Sequence, residues 1–216
     1  KPSSSLLSIY IHSLKLDKWC AKKKRVQTIL IDLVNDSAHI FNEIKKKTRY
    51  DIRRSNEKDD VELLLIEDVS DSEINNFHLL YNSFASTVGI GNANKAKITT
   101  FRDNGHLFFS KAIDKNGKLL CMHALIFDDS RVRLLYSYSV FRKLDKNMRD
   151  VSGRANKSLH WFEINQLKNR GLKYYDFGGI SLNGETKNID KFKMAFGGKV
   201  VTEYNAICLD IFWWIK

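Results

Sequence analysis

Several groups of residues in this sequence have the types and spacing that chemistry needs. The first is Ser152 to Ser158, SGRANKS, where a glycine-bearing turn leads into a predicted helix from Ala155 to Asn169. A helix N-terminus presents unpaired backbone N–H groups and the positive end of its dipole, so a pyrophosphate fits there, with Arg154 and Lys157 adding charge. Many helices begin with Ser and Gly for capping alone. The second is Asp176, at the end of a short predicted strand, Lys173 to Phe177, just before Gly178-Gly179. A carboxylate there orients a substrate amine or caps the turn, and capping is the commoner role. The third is a predicted helix from Asn188 to Phe196 closed by Gly197-Gly198. Its Lys191 and Lys193 stand two apart and point differently, so at most one faces a ligand. His123 and His160 are proton carriers or packed structural residues. No cluster has zinc-ligand spacing, and neither a Ser-His-Asp signature nor a Walker-type loop occurs.

The elements that must position these residues follow from periodicity. Ser5–Leu16 and Val26–Val34 read as strands, joined by a basic stretch, Lys22 to Arg25, expected to be a solvated loop. From Asp36, which the sequence offers as an N-cap, Ile40, Ile44 and Ile52 recur at helical spacing and predict one long helix to about Asn56. Lys45, Arg49 and Arg53 fall at successive i+4 steps on its next face. Such a row is screened by solvent or by a bound anion. Val61–Ile66 is a predicted strand; Ser70 with Glu73 forms a capping box for the next helix, and a shorter helix covers about Asn94 to Arg102. Three strands follow, His106–Ile113, Lys118–Phe127 and Arg131–Phe141, joined by an Asn-Gly turn and an Asp-Asp-Ser turn, an antiparallel meander expected at the sheet's centre. Leu159, Phe162, Ile164 and Leu167 form the buried stripe of the Ala155–Asn169 helix, with Glu163 outside it and Gly171 at its end. Val200–Phe212 is the last strand.

Composition sets the class. The 216 residues are 43% hydrophobic and 28% charged, ordinary globular material sufficient for one mixed domain, and no apolar run reaches membrane-spanning length. The chain opens on Lys1 rather than Met, which leaves room for a segment upstream. Cys20, Cys121 and Cys208 fit neither a metal pattern nor a disulfide framework, so reduced thiols and a cytoplasmic location, extending to the inner face of the membrane, are expected. A net charge of +11 favours an anionic partner or serves solubility.

Taken in order, KKKTRYDIRRSNEKDDVELLLIED, GRANKSLHW, GLKYYDFGGI and FKMAFGG resemble the FemABX-type transferases and their single-domain relatives in the GNAT acyltransferase superfamily. The likeness covers about Lys45–Ile66 and Val151–Val200. It implies an α/β fold with a GNAT-like, largely antiparallel mixed sheet flanked by helices. A donor ester or thioester would lie at a splayed strand pair, where an amine attacks its carbonyl directly, without a covalent enzyme intermediate. On the same resemblance, Ser152, Gly153, Arg154, Ala155, Asn156 and Lys157 would hold the phosphates of acyl-CoA. Arg49, Arg53 and Lys193, with Gly178 and Gly179, would meet a small or nucleotide-linked acceptor such as an amino sugar of a surface polysaccharide. Asp176, His123, Tyr136 or Tyr138 would take the amine's proton. Relatives with two such domains use aminoacyl-tRNA and many single-domain ones acyl-CoA, and the length here favours acyl-CoA. Two other readings stand beside it: aminoacyl transfer from tRNA to a cell-wall or sugar precursor, and a non-catalytic nucleic-acid-binding module. The module lacks any helix-turn-helix, zinc or RNP-type pattern.

Overall fold

A computed structural model describes residues 7–13, 15, 20–140, 145–181 and 187–209. In chain order the elements are β1 Leu7–Ser13, β2 Cys20–Asp32, α1 Ser37–Glu43, α2 Lys46–Lys58, β3 Glu62–Ile66, α3 Asp71–Val88, α4 Lys95–Asp103, β4 Leu107–Ile113, β5 Leu119–Phe127, β6 Arg131–Ser139, α5 Lys146–Asn169, β7 Tyr174–Ile180, α6 Lys187–Met194 and β8 Lys199–Leu209. The strands form one eight-stranded sheet in the order β1-β8-β2-β7-β6-β5-β4-β3. Every neighbouring pair is antiparallel except β6 with β7, which is parallel. This is the GNAT-like mixed sheet that the resemblance implies.

Helices cover both faces. On one, α1, α2 and α5 bury Ile40, Ile52, Ile164 and Leu167, together with Phe196 just beyond α6, against Ile29, Ile31, Tyr175 and Phe177 of the sheet. On the other, α3 and α4 bury Phe77, Tyr81 and Ile98 against Leu107, Phe109, Met122 and Ala124. Two buried faces explain why β5 is apolar along both of its sides. The capping box at Ser70 and the Asp36 cap form as the sequence predicts, and Asn94, expected as the start of a helix, caps α4.

Several expectations are corrected. The predicted Asp36–Asn56 helix is two helices, broken at Ile44 and Lys45, where the Lys45 N–H donates to Ala195 O and α1 ends. Lys22–Arg25 is not a loop: it lies within β2, paired with β8. The strand expected to stop at Phe177 runs through both glycines to Ile180, with a bulge that sets two residues of β7 opposite Ile29. The middle of the sheet is the β7–β6 pair, so the meander forms one flank and reaches the centre only through β6. Cys20 and Cys208, opposite one another on β2 and β8, are bridged by a disulfide, which removes the basis for reading reduced thiols from the cysteine spacing. Cys121 is a buried free thiol, as expected. Among the described residues no helix is long and apolar enough to cross a membrane.

Backbone approach fixes where glycine is required. Gly198 has φ +81°, and a Cβ there would stand 2.6 Å from Leu30 O on β2. Gly153 lies inside α5 with open space around its Cβ position. Gly198→Ala should therefore lower stability by roughly 2 kcal/mol or more, whereas Gly153→Ala should raise it by about 1 kcal/mol. Urea unfolding of both variants checks the pair, and a destabilised Gly153→Ala would refute the helical placement.

Candidate active site

Two buried polar groups flank the middle of the sheet, one on each face. On the α5 face the hub is Glu163, which has no exposed surface. Its Oε1 accepts from His123 Nδ1 of β5 at 2.6 Å and from Ser110 Oγ of β4, and its Oε2 accepts from the Tyr175 hydroxyl of β7. Tyr175 in turn accepts from His160 Nδ1 at 2.7 Å. His123 Nε2 lies 2.8 Å from the Asn156 side-chain oxygen. The His123 and His160 rings stand 4.3 Å apart between centroids, and Phe177, Phe192 and Phe196 enclose His160 on its other sides.

Burial alone would push the Glu163 carboxyl up; the His123 ring and hydrogen bonds from both histidines hold it well below the usual carboxylate range. Burial, then the neighbouring His123, lowers His160 to about 4, against the hydrogen bond to Glu163. Tyr175 is pushed well up by burial and by the Glu163 charge. His123, His160 and Glu163 offer ligand atoms within 4.8 Å of one another, the spacing of a possible metal group. Within this trio His123 Nδ1 lies 2.6 Å from Glu163 Oε1 and His160 Nδ1 lies 3.3 Å from Glu163 Oε2. The first is a hydrogen-bond distance, shorter than the about 3.3 Å between two ligands of one tetrahedral zinc, and His160 Nδ1 makes its own shorter bond to Tyr175 at 2.7 Å.

On the opposite face, Asp176 Oδ2 takes Arg133 Nη1 at 2.6 Å, and Arg133 Nη1 also donates to Glu203 Oε2 at 2.9 Å. Arg131 pairs with Glu203 and stands 3.4 Å from Asp176. Asp176 Oδ1 accepts from Thr28 and, at 2.7 Å, from the N–H of Gly178, which sits at φ +75° in the β7 bulge.

Between these two groups the sheet divides. The parallel ladder of β6 and β7 has only three pairs, Arg131 with Tyr174, Val132 with Tyr175 and Arg133 with Asp176. Beyond them β6 continues against β5 and β7 against β2, so the two strands form a fork. Gly178 lies at its inner edge, where a Cβ would come 3.1 Å from Leu134 O and 4.0 Å from Lys193 Nζ. Lys193 Nζ donates to Gly179 O at 2.6 Å. Burial lowers its pKa, partly offset by Asp190.

The fold is shared with solved structures. FemX matches with a TM-score of 0.66 at 12% identity, over 92% of this chain and 65% of FemX. A conserved protein of unknown function from Bacteroides thetaiotaomicron matches at 0.59 and 13% identity, over 88% of this chain and 63% of that one. The C-terminal domain of a putative lysylphosphatidylglycerol synthetase from Agrobacterium fabrum matches at 0.55 and 11% identity, over 86% and 61%. This chain has the FemX fold. It spans less than two thirds of the length of FemX and of that synthetase domain. No protein-family model and no curated protein sequence matches it.

Within the FemX fold the sequence-derived site residues separate. α5 begins at Lys146, capped by Asp145, rather than at Ala155. Gly153, Arg154, Ala155, Asn156 and Lys157 therefore lie inside the helix, where backbone N–H groups bond along it, and the anion site expected of a helix start is not there. Their side chains are engaged as well: Arg154 pairs with Asp59 at 2.6 Å, Lys157 with Asp51 at 2.6 Å, Asn156 with His123, and buried Ser152 donates to Leu120 O at 3.2 Å. Arg49 caps the end of α1 through Ile44 O at 3.0 Å, and Arg53 stacks over Phe41. Asp176 is held by arginines and by its own turn. Tyr136 and Tyr138 pack against Tyr81 and Phe84 of α3, across the sheet from His123, so these three cannot serve one proton. Gly178, Gly179 and Lys193 do come together, at the fork, and Lys191 is exposed.

The sequence pattern puts Phe162 in the buried stripe of α5 and Glu163 outside it, and the structure reverses the two: Glu163 is fully buried and Phe162 only partly so. The readable signal was i+3 spacing from His160, which sets both on one side of the helix. A cavity of about 390 Å³ exists elsewhere, at the β3–β4 end between Asp60, Glu62, Asp114 and Lys115, and contains none of these residues.

The buried histidine makes stability pH-dependent. His160 titrates near 6.5 when unfolded and about 4 when folded, so protons prefer the unfolded chain. Its contribution is full above 6.5 and is lost as pH falls through 4, a total of about 3 kcal/mol; Glu163 acts in the same direction at lower pH. His160→Phe should flatten the decline in urea midpoint between pH 6.5 and 4, and equal slopes in both proteins would refute this.

Proposed function

We propose that this chain transfers an acyl group from an activated carrier to a primary amine, with the donor carbonyl held in the fork between β6 and β7. The fork is the observation that carries this reading. An arm bearing amide groups can enter such an opening as an added strand, bonding to the facing backbone edges. That fixes the donor carbonyl in place before the amine arrives, and such orientation lowers the barrier by several kcal/mol. The amine nitrogen forms the new N–C bond, the C–S or C–O bond to the carrier breaks, and the leaving sulfur or oxygen takes the proton that the amine gives up. Lys193, beside the fork, supplies a cation where the oxyanion develops or where a phosphorylated acceptor docks. Asp176 and His123 are better read as buried supports than as the base.

The acceptor we propose is an amino sugar, free or nucleotide-linked, and the carrier CoA. A second reading, transfer of an aminoacyl group from tRNA, is favoured by one observation: Lys22, Lys23, Lys24 and Arg25 stand exposed in succession along β2. At about 3.3 Å per residue, this row lies roughly 10 to 20 Å along the strand from Thr28, which faces Gly179 of the fork.

Two assays decide. Purified protein with a panel of acyl-CoAs and amino sugars should release free CoA thiol in proportion to amide formed. If RNA is the carrier, tRNA affinity should instead fall about a hundredfold between 50 and 200 mM salt, and most of that dependence should vanish when the four β2 cations are changed to alanine. Absence of both turnover and binding would sink the transferase reading.

A further inference from the structure

The width of the fork depends on whatever joins β6 and β7 at their last ladder pairs, because the ladder itself ends at Arg133 and Asp176. On the α3 face that join is the Arg133–Asp176 ion pair, between adjacent strands. On the α5 face the join is longer. Glu163 gives one carboxylate oxygen to Ser110 of β4 and His123 of β5, and the other to Tyr175 of β7. The strands of one half-sheet are thus tied by Oε1 and the first strand of the other half by Oε2. Tyr175 is the neighbour of Asp176, so both joins act at the point where the strands part. A carboxylate is rigid and planar, and its two oxygens cannot move independently.

We infer that Glu163 is the positioning residue of the fork, a brace that bridges the two half-sheets and fixes the gap into which the donor arm fits. The inference rests on the transferase reading above. Glu163 touches no substrate; it acts through Tyr175 on the strand that carries Phe177 and Gly178. A brace differs from a buried hydrogen bond that only adds stability, because its arms are not equivalent. Tyr175→Phe removes the arm that crosses the gap. Ser110→Ala removes an arm to the same carboxylate on one side only. Tyr175→Phe also gives up the hydrogen bond from His160, so His160→Phe, which removes that bond without touching the Glu163–Tyr175 arm, is the matched control. A purely structural role predicts that Tyr175→Phe does no more than His160→Phe and Ser110→Ala do together.

The brace predicts that Tyr175→Phe raises the donor KM by about tenfold, the size of one lost buried hydrogen bond expressed in binding, while Ser110→Ala leaves KM and kcat near their wild-type values. Glu163→Gln, which keeps the length and planarity of the side chain, should retain more of the donor affinity than Glu163→Ala. Amide hydrogen exchange gives a readout that needs no turnover. Tyr175→Phe should speed exchange on both sides of the fork, at Leu134–Ser139 and Phe177–Ile180, and Ser110→Ala should not. An effect of Tyr175→Phe on exchange no larger than those of His160→Phe and Ser110→Ala together would overturn the brace. If wild-type protein transfers no acyl group, the function proposed above fails, and the exchange comparison still decides whether Glu163 spans the gap.

Discussion

An ionised carboxylate with no exposed surface must be surrounded by donors, since isolating it from water costs far more than any one hydrogen bond returns. Glu163 draws its donors from three strands and its own helix: Ser110, His123, Tyr175 and, more distantly, His160 at 3.3 Å. That requirement fixes where α5 lies across the sheet. A rotation of the helix by one residue would leave the carboxylate in the apolar layer of Ile164 and Leu167, so the polar hub specifies a helix orientation that the apolar stripe alone leaves loose. The same hub leaves His160 little room to accept a charge, because His123 stacks on it and three phenyl rings close the remaining sides.

The other face meets the same problem with full charges. Arg131, Arg133, Asp176 and Glu203 place two cations against two anions within a nearly dry layer. Such groups are weak evidence of net stability, since apolar replacements often do as well. What they supply here is register. Asp176 can reach Arg133 only if β7 lies parallel and in step with β6, and its second oxygen then takes the Gly178 N–H that shapes the bulge. A slip of one residue in β7 would turn Asp176 to the opposite face of the sheet.

The sequence made most elements legible because their signals are local. Caps at Asp36 and Ser70, the Asn-Gly turn and the apolar alternation of Leu119–Phe127 act over a few residues, and the structure follows them. The errors arose where distant partners decide. Ile44 and Lys45 carry a helical pattern, yet the helix breaks there because Ala195, far along the chain, claims the Lys45 N–H. Lys22–Arg25 reads as a loop by composition and is a strand because β8 pairs with it. Ser152-Gly153 reads as a helix start, but Asp145 caps α5 upstream. Glycine at positive φ marks close backbone approach, and the two glycine turns differ in what they approach: Gly178 of the first faces Leu134 O at the fork, whereas Gly197 and Gly198 of the second lie against Glu43 and Leu30. Glu163 was not legible, since a lone acid between apolar residues gives no hint that three strands will supply its donors.

The two buried groups also explain why the sheet can open at its centre without coming apart. Three ladder pairs are a slender connection for a parallel junction, and parallel pairs are the weaker kind. Two polar pins, one on each face, concentrate cross-strand bonding at those three pairs and leave the strands beyond them committed to their outer neighbours, β5 and β2. The opening is therefore a consequence of where the polar groups sit, and closing it would require Gly178 to leave the bulge that Asp176 holds. At the inner edge of the opening the Gly178 backbone faces Leu134 O, with Lys193 Nζ beside it. Lys193 and the exposed cations of β2 stand toward its rim, and under the transferase reading proposed above they are the groups that would distinguish one carrier or acceptor from another.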